Sequence, residues 1–243
     1  MKSSAVLGLA LGLLCAPAAA DDVLRFLDAP DRRGGQVLAP PNCQGGLRND
    51  DGSFEGATGY ANAVQVGAYV MALDIPAGFQ PTRVCLCWTR GPFNNGTDLD
   101  FDVVFFADDG VGAKGEPGFP GTELGRTSAR AEAIPEFLKD GVAMYPVDLP
   151  PELRALSGRI HVGVEWQPFV NRQFFNCNDT EAEGSTERPV FEGYSHVPPE
   201  PFWSPLSPMR PTYRAFGTVL YGELVAAHDF ECRDDLPGCI PPP

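Results

Sequence analysis

Residues 82–89 read TRVCLCWT. Successive side chains of an extended strand point to opposite faces, so Val84, Leu86 and Trp88 share one face while Arg83, Cys85, Cys87 and Thr89 share the other. The same period recurs in RIHVGVEW (159–166), where Ile160, Val162, Val164 and Trp166 oppose His161 and Glu165. Further strands are predicted at 63–75, 142–149 and 213–224, with shorter ones near 23–27, 122–127 and 190–195. The 27 glycines and 25 prolines are spread over almost the whole chain, which leaves little room for long helices. EAIPEFLKD (132–140) and PPELRAL (150–156) are short helical candidates. Many strands with turn-rich links predict an all-β fold, an antiparallel β-sandwich with short helical connectors. Residues 167–212 read as a long irregular insertion.

The first 20 residues carry one charge, Lys2, then the apolar run AVLGLALGLLC, and end in APAAA. This is the pattern of a secretory signal peptide, cleaved after Ala20, and it predicts a secreted protein, periplasmic or extracellular. No later stretch is apolar enough to cross a bilayer, so no membrane insertion is expected. The formal net charge of −14 argues against nucleic acid, whose phosphates need a basic footprint. Past the leader, residues 21–47 are expected to pack on a domain spanning 48–225, and 226–243 to form a tail closed by a disulfide.

Six of the seven cysteines lie beyond the leader: Cys43, Cys85, Cys87, Cys177, Cys232 and Cys239. An even number in an exported chain reads as disulfides, with 15 connectivities open in principle. Cys232 and Cys239 bracket the short loop RDDLPG and are expected to pair. Cys85 and Cys87 lie two apart in a strand, with Cβ atoms about 6.5 to 7 Å apart, too far for a bond between them. Each needs an outside partner, which leaves Cys43 and Cys177 and does not say which goes to which. The segments carrying those two are therefore expected to meet over the outer face of the strand.

In DLDFDVVFFADDG (98–110), Leu99, Phe101, Val103 and Phe105 are expected to face the core and Asp98, Asp100 and Asp102 the outside. The D-x-D-x-D spacing is not an EF-hand loop, because its sixth position is Val103 and its twelfth Asp109, where that loop needs Gly and Glu. Three alternate residues on a straight strand span about 13 Å, so at most two of them share one ion. For a structural calcium site Asp179 is the residue to complete the shell, if Cys177 is stapled to this sheet. The alternative is a wet strand face.

The segments DFDVVFFADDGVGAKGEPGFPGTELG (100–125), VAMYPVDLP (142–150) and SGRIHVGVEW (157–166), with NDDGSFEG (49–56) as opening turn and strand, carry a resemblance. Over residues 48–225 the chain resembles a recurrent jelly-roll-like β-sandwich module of bacterial exported and surface proteins, some of whose relatives bind carbohydrate. The resemblance implies a fold and a compartment, and no reaction.

The richest candidate for ligand binding is the aromatic stretch between 167 and 213. Trp203, Phe202, Tyr194 and Phe175 with Arg172 are the residues expected to stack on sugar rings and bond their hydroxyls; the bland alternative is that they form a small local core. His161, His196 and His228 match no nucleophilic or metal motif. The sequence therefore points to an exported, non-enzymatic binding or surface-associated module, with carbohydrate or a surface protein as partner. The alternatives are a hydrolase of extracellular polysaccharide using the Asp98–Asp102 face or Glu165, and a structural interaction protein.

Overall fold

The structure, a computed structural model, describes residues 24–28, 37–38, 40, 43, 46–50, 52–60, 66–92, 94, 96–166, 174–179, 193–205 and 215–224. Its organising strand is β5 (Phe79–Arg90), which contains TRVCLCWT. One edge of β5 pairs with β10 (Val142–Asp148). Its other edge is shared end to end by β12 (Phe174–Asp179) and β16 (Thr218–Leu224). Beyond β12 lie β3 (Gly56–Tyr60) and then β1 (Leu24–Asp28); beyond β10 lies β2 (Val37–Leu38); β15 (Ala215–Phe216) adds to β12. A second sheet runs β14 (Ser204–Pro205), β13 (Gly193–His196), β4 (Gly67–Ile75), β11 (Gly158–Trp166), β6 (Leu99–Ala107), β9 (Glu123–Ala131). A small hairpin pairs β7 (Gly110–Val111) with β8 (Pro117–Phe119). The described residues are mostly β-strand with very little helix, as an all-β fold requires, and their ladders are antiparallel except for the short β2–β10 pair.

The period of two in the sequence becomes the core. Val84, Leu86 and Trp88 from the first sheet meet Met71, Leu73, Phe101, Val103, Phe105, Ile160, Val162 and Val164 from the second. Trp88 joins the two, with ring centroids 5.4 Å from Phe101 and 5.8 Å from Trp166. Burying each such side chain stabilises by about 1.5–3 kcal/mol, so this shared interior dominates the stability.

The other face of β5 is covered as well. Cys85 and Cys87 are fully buried, under Cys43, Phe54 and Phe137 and beside Met144, Phe175, Cys177 and Val219. Cys43 bonds Cys85, with 5.8 Å between Cα atoms, and Cys87 bonds Cys177, with 5.4 Å. The segments bearing Cys43 and Cys177 thus meet over β5, and the pairing left open by strand geometry is resolved. Cys232 and Cys239 lie outside the described residues.

Two expectations need correction. Residues 174–179 are part of no irregular insertion: β12 is a sheet strand between β3 and β5, buried at all six positions. A strand covered on both faces need not alternate, and FFNCND does not, so it carried no strand signal. The helical candidates shrink to α1 (Phe137–Asp140) and one 3-10 turn at Pro151–Leu153.

Candidate functional site

Strand register builds a mosaic on the outer face of the second sheet. One row across it is Tyr194, Val70, Gly163, Val104 and Arg126, on β13, β4, β11, β6 and β9. On one side of it lie Ala72, His161 and Phe106; on the other lie His196, Ala68, Glu165, Asp102 and Ser128. The row depends on Gly163, where an added Cβ would come within 1.9 Å of the Tyr69 carbonyl oxygen.

Half of this face is apolar and aromatic. Val70, Val104, Phe106 and Tyr194 form a small buried cluster, against which Phe119 and Trp203 pack. The half-buried Trp203 ring reaches from Phe106 (5.2 Å) to His196 (5.1 Å), and so lies over the middle row. Phe202 beside it is 41% exposed. The Tyr194 hydroxyl donates to the Gly118 carbonyl at 3.1 Å and its ring meets Phe119 at 5.1 Å, which ties the β7–β8 hairpin down. Beneath Tyr194, fully buried His161 sits 2.7 Å from Asp108 through Nε2, while its Nδ1 has no hydrogen-bond partner. Burial pushes the His161 pKa down, against the opposing pull of Asp108.

The other half is ionic. Arg126 donates to Glu123 (2.7 Å), Glu165 (2.9 Å) and Asp102 (3.2 Å). Arg130 donates to Asp98 (2.8 Å), Asp100 (2.8 Å) and Glu132 (3.2 Å). Ser128 donates a further bond to Asp102. The Ala133 backbone N–H, helped by Thr97 and Arg130, holds the Asp98 carboxyl below the usual carboxylate range.

The three aspartates are thus an outward strand face, as the alternation implied, and each is held by an arginine of the adjacent strand. Asp179 is not brought to them. Consecutive strands β5 and β6 fall in different sheets, so stapling Cys177 to β5 carries Asp179 to the first sheet, where it is buried. Among the described residues no group of three or more His, Cys, Asp or Glu side chains is placed to hold a metal ion. The aromatic set also divides. Trp203 and Tyr194 share the second sheet's outer face, Tyr194 almost wholly buried, and Phe202 is exposed next to Trp203 in sequence. Phe175 is buried beside the disulfides of the first sheet, and Arg172 lies outside the described residues. Asn178, which heads an N-x-T sequence, is buried and unavailable to modification in the folded state.

Sequence reasoning missed Arg126 and Arg130. The signal was present: R-x-S-x-R at 126–130 is the period-two complement of D-x-D-x-D at 98–102. Comparison of the chain with protein-family models, with curated proteins and with solved structures finds no match.

Proposed function

We propose that the protein is an exported, non-enzymatic binding module of the jelly-roll-like β-sandwich type, and that it holds carbohydrate on the outer face of its second sheet. The observation that carries this reading is one sheet face on which the half-buried Trp203, with exposed Phe202 next to it in sequence, adjoins an array of paired carboxylates and guanidinia. An aromatic ring offers a flat apolar platform to a pyranose, and polar side chains already fixed by ion pairs bond hydroxyls without a large ordering cost. Val104 lies opposite Arg126 in register, so the ionic half begins one strand, about 5 Å, from the apolar cluster. Export is supported by the disulfides, which persist in oxidising compartments.

The polysaccharide-hydrolase reading has less support. A glycosidase needs two opposed carboxyl groups, one of them kept protonated as an acid. Here Asp102 and Glu165 share one guanidinium, and Asp98 is held in the charged form. His161 is enclosed and out of reach of a substrate.

Affinity electrophoresis against a panel of soluble polysaccharides tests the proposal. Wild type is retarded by at least one. Phe202→Ala, which removes an exposed ring, and Trp203→Ala weaken that binding by roughly tenfold while the fold, checked by circular dichroism, stays intact. Unchanged binding in both folded variants overturns the assignment of this face. Wild type that binds no glycan but captures a surface protein through the same two residues favours the interaction-protein alternative.

A further inference from the structure

We infer that this face selects against anionic glycans, which rests on the carbohydrate reading above and adds to it a rule of selection. Its basis is the disposition of charge on the face that Trp203 covers. Arg126 is enclosed by Asp102, Glu123 and Glu165, and Arg130 by Asp98, Asp100 and Glu132. A guanidinium has five N–H donors. Arg126 spends its Nε, Nη1 and Nη2 on carboxylates, and Arg130 does the same. Arg159, on the same side of β11 as His161, faces Asp74 at 3.5 Å and Asp108 at 3.6 Å.

An anionic sugar therefore meets no uncommitted guanidinium among these three. To bind one it must displace a carboxylate already in place, in a neighbourhood where six carboxylates share two arginines. The net charge of −14 on the chain adds repulsion at long range. A cationic sugar meets no such obstacle, since six carboxylates against two guanidinia leave the face net negative. A neutral hydroxyl needs no exchange: it donates to a spare carboxylate lone pair and leaves the ion pairs standing. The surface is thus selective against an anionic ligand, because its guanidinia are engaged before the ligand arrives and its carboxylates are in excess.

The consequence is affinity that ignores salt and falls when negative charge is added to a recognised backbone. The experiment sets full-length exported protein against neutral β-glucan, xylan, mannan and galactan, each beside a carboxylated derivative of the same backbone, with chitosan as a cationic arm. Dissociation constants are read at 20 mM and 500 mM NaCl. The expected result is binding to a neutral polymer that changes by less than about twofold with salt, and at least tenfold weaker binding of its carboxylated form at 20 mM. In Glu123→Gln/Glu132→Gln, the ratio between neutral and carboxylated binding at 20 mM NaCl narrows. Preference for a carboxylated polymer, abolished by salt, overturns the selection against anions and leaves the carbohydrate reading standing, whereas tighter binding of chitosan at 20 mM NaCl supports it. Absence of binding to every polymer overturns both.

Discussion

Removing the Cys87–Cys177 bond, by Cys87→Ala/Cys177→Ala, takes away the covalent link that fastens β12 to β5. The two cysteines are 90 residues apart in sequence. In the chain-entropy model, closing a loop of that length in the unfolded state stabilises the native state by about 4.6 kcal/mol. The Cys43–Cys85 bond closes a separation of 42, for about 3.9 kcal/mol. Both pairs are packed in the same buried cluster, so truncation to alanine also forfeits packing and moves the result in the same direction. At roughly 2–4 °C per kcal/mol for a domain of this size, the Cys87–Cys177 variant is expected to melt about 9–18 °C below wild type. Differential scanning calorimetry in non-reducing buffer reads the shift directly, and the Cys43→Ala/Cys85→Ala variant should fall slightly less. Because this cluster lies on the first sheet and the proposed ligand face on the second, glycan affinity of folded variant at low temperature should be that of wild type. A variant melting within 2 °C of wild type would refute the reasoning, since β12 would then be held by its ladder alone.

Three further outcomes are expected. His161 is titrated more easily in the unfolded chain, at about 6.5, than in the fold, where burial lowers its pKa. Its contribution is therefore full above about pH 6.5 and is lost as pH falls through the lower folded value; the urea midpoint should drop from pH 7.5 to pH 5, and less so in His161→Gln. That comparison isolates His161 from Asp50, whose burial raises its pKa and gives the opposite trend, and equal slopes in the two proteins would exclude the assignment. Gly163→Ala forces a Cβ onto the Tyr69 carbonyl and should cost about 3 kcal/mol or prevent folding; a variant with wild-type urea stability contradicts the tight β4–β11 approach. Millimolar calcium against a chelator should leave the melting temperature within about 1 °C, because Arg126 and Arg130 occupy Asp98, Asp100 and Asp102. An ion bound at 100 times its dissociation constant would instead add about 2.7 kcal/mol.

The parts of the fold legible in the sequence are those whose two faces differ in residue type, even where both are buried, as along residues 84–89 of β5. Strands β5, β6 and β11 showed themselves by alternation, and the spacing of Cys85 and Cys87 was enough to deny them a mutual bond. What alternation could not reveal was β12, whose neighbours bury Phe174 on one side and Phe175 and Cys177 on the other. Local sequence was equally silent on which sheet each strand joins. TRVCLCWT and DLDFDVVFF follow one another closely, yet β5 and β6 lie on opposite sides of the core, and the proposed calcium shell failed on that crossover.

The same crossover explains why the aromatic stretch split. Phe175, Tyr194 and Trp203 fall within 30 residues of one another, and nearness in sequence suggested one platform. Between β12 and β13 the chain changes sheets, so Phe175 is spent in sealing the disulfides while Tyr194 and Trp203 cover the far side of the molecule. A sheet face is assembled across strands, by register, and its members come from distant segments: Asp102 on β6, Ser128 on β9 and Glu165 on β11 stand side by side. The sequence signal for such a face is complementarity between strands at matching period. R-x-S-x-R against D-x-D-x-D carries it here, since opposite charges directly across an antiparallel pair attract and like charges repel. Swapping the charges tests whether that complement sets the register. Asp100→Arg/Arg130→Asp should preserve folding and the melting temperature better than either single change, and equal loss in the double and single variants would mean that apolar burial alone aligns β6 with β9.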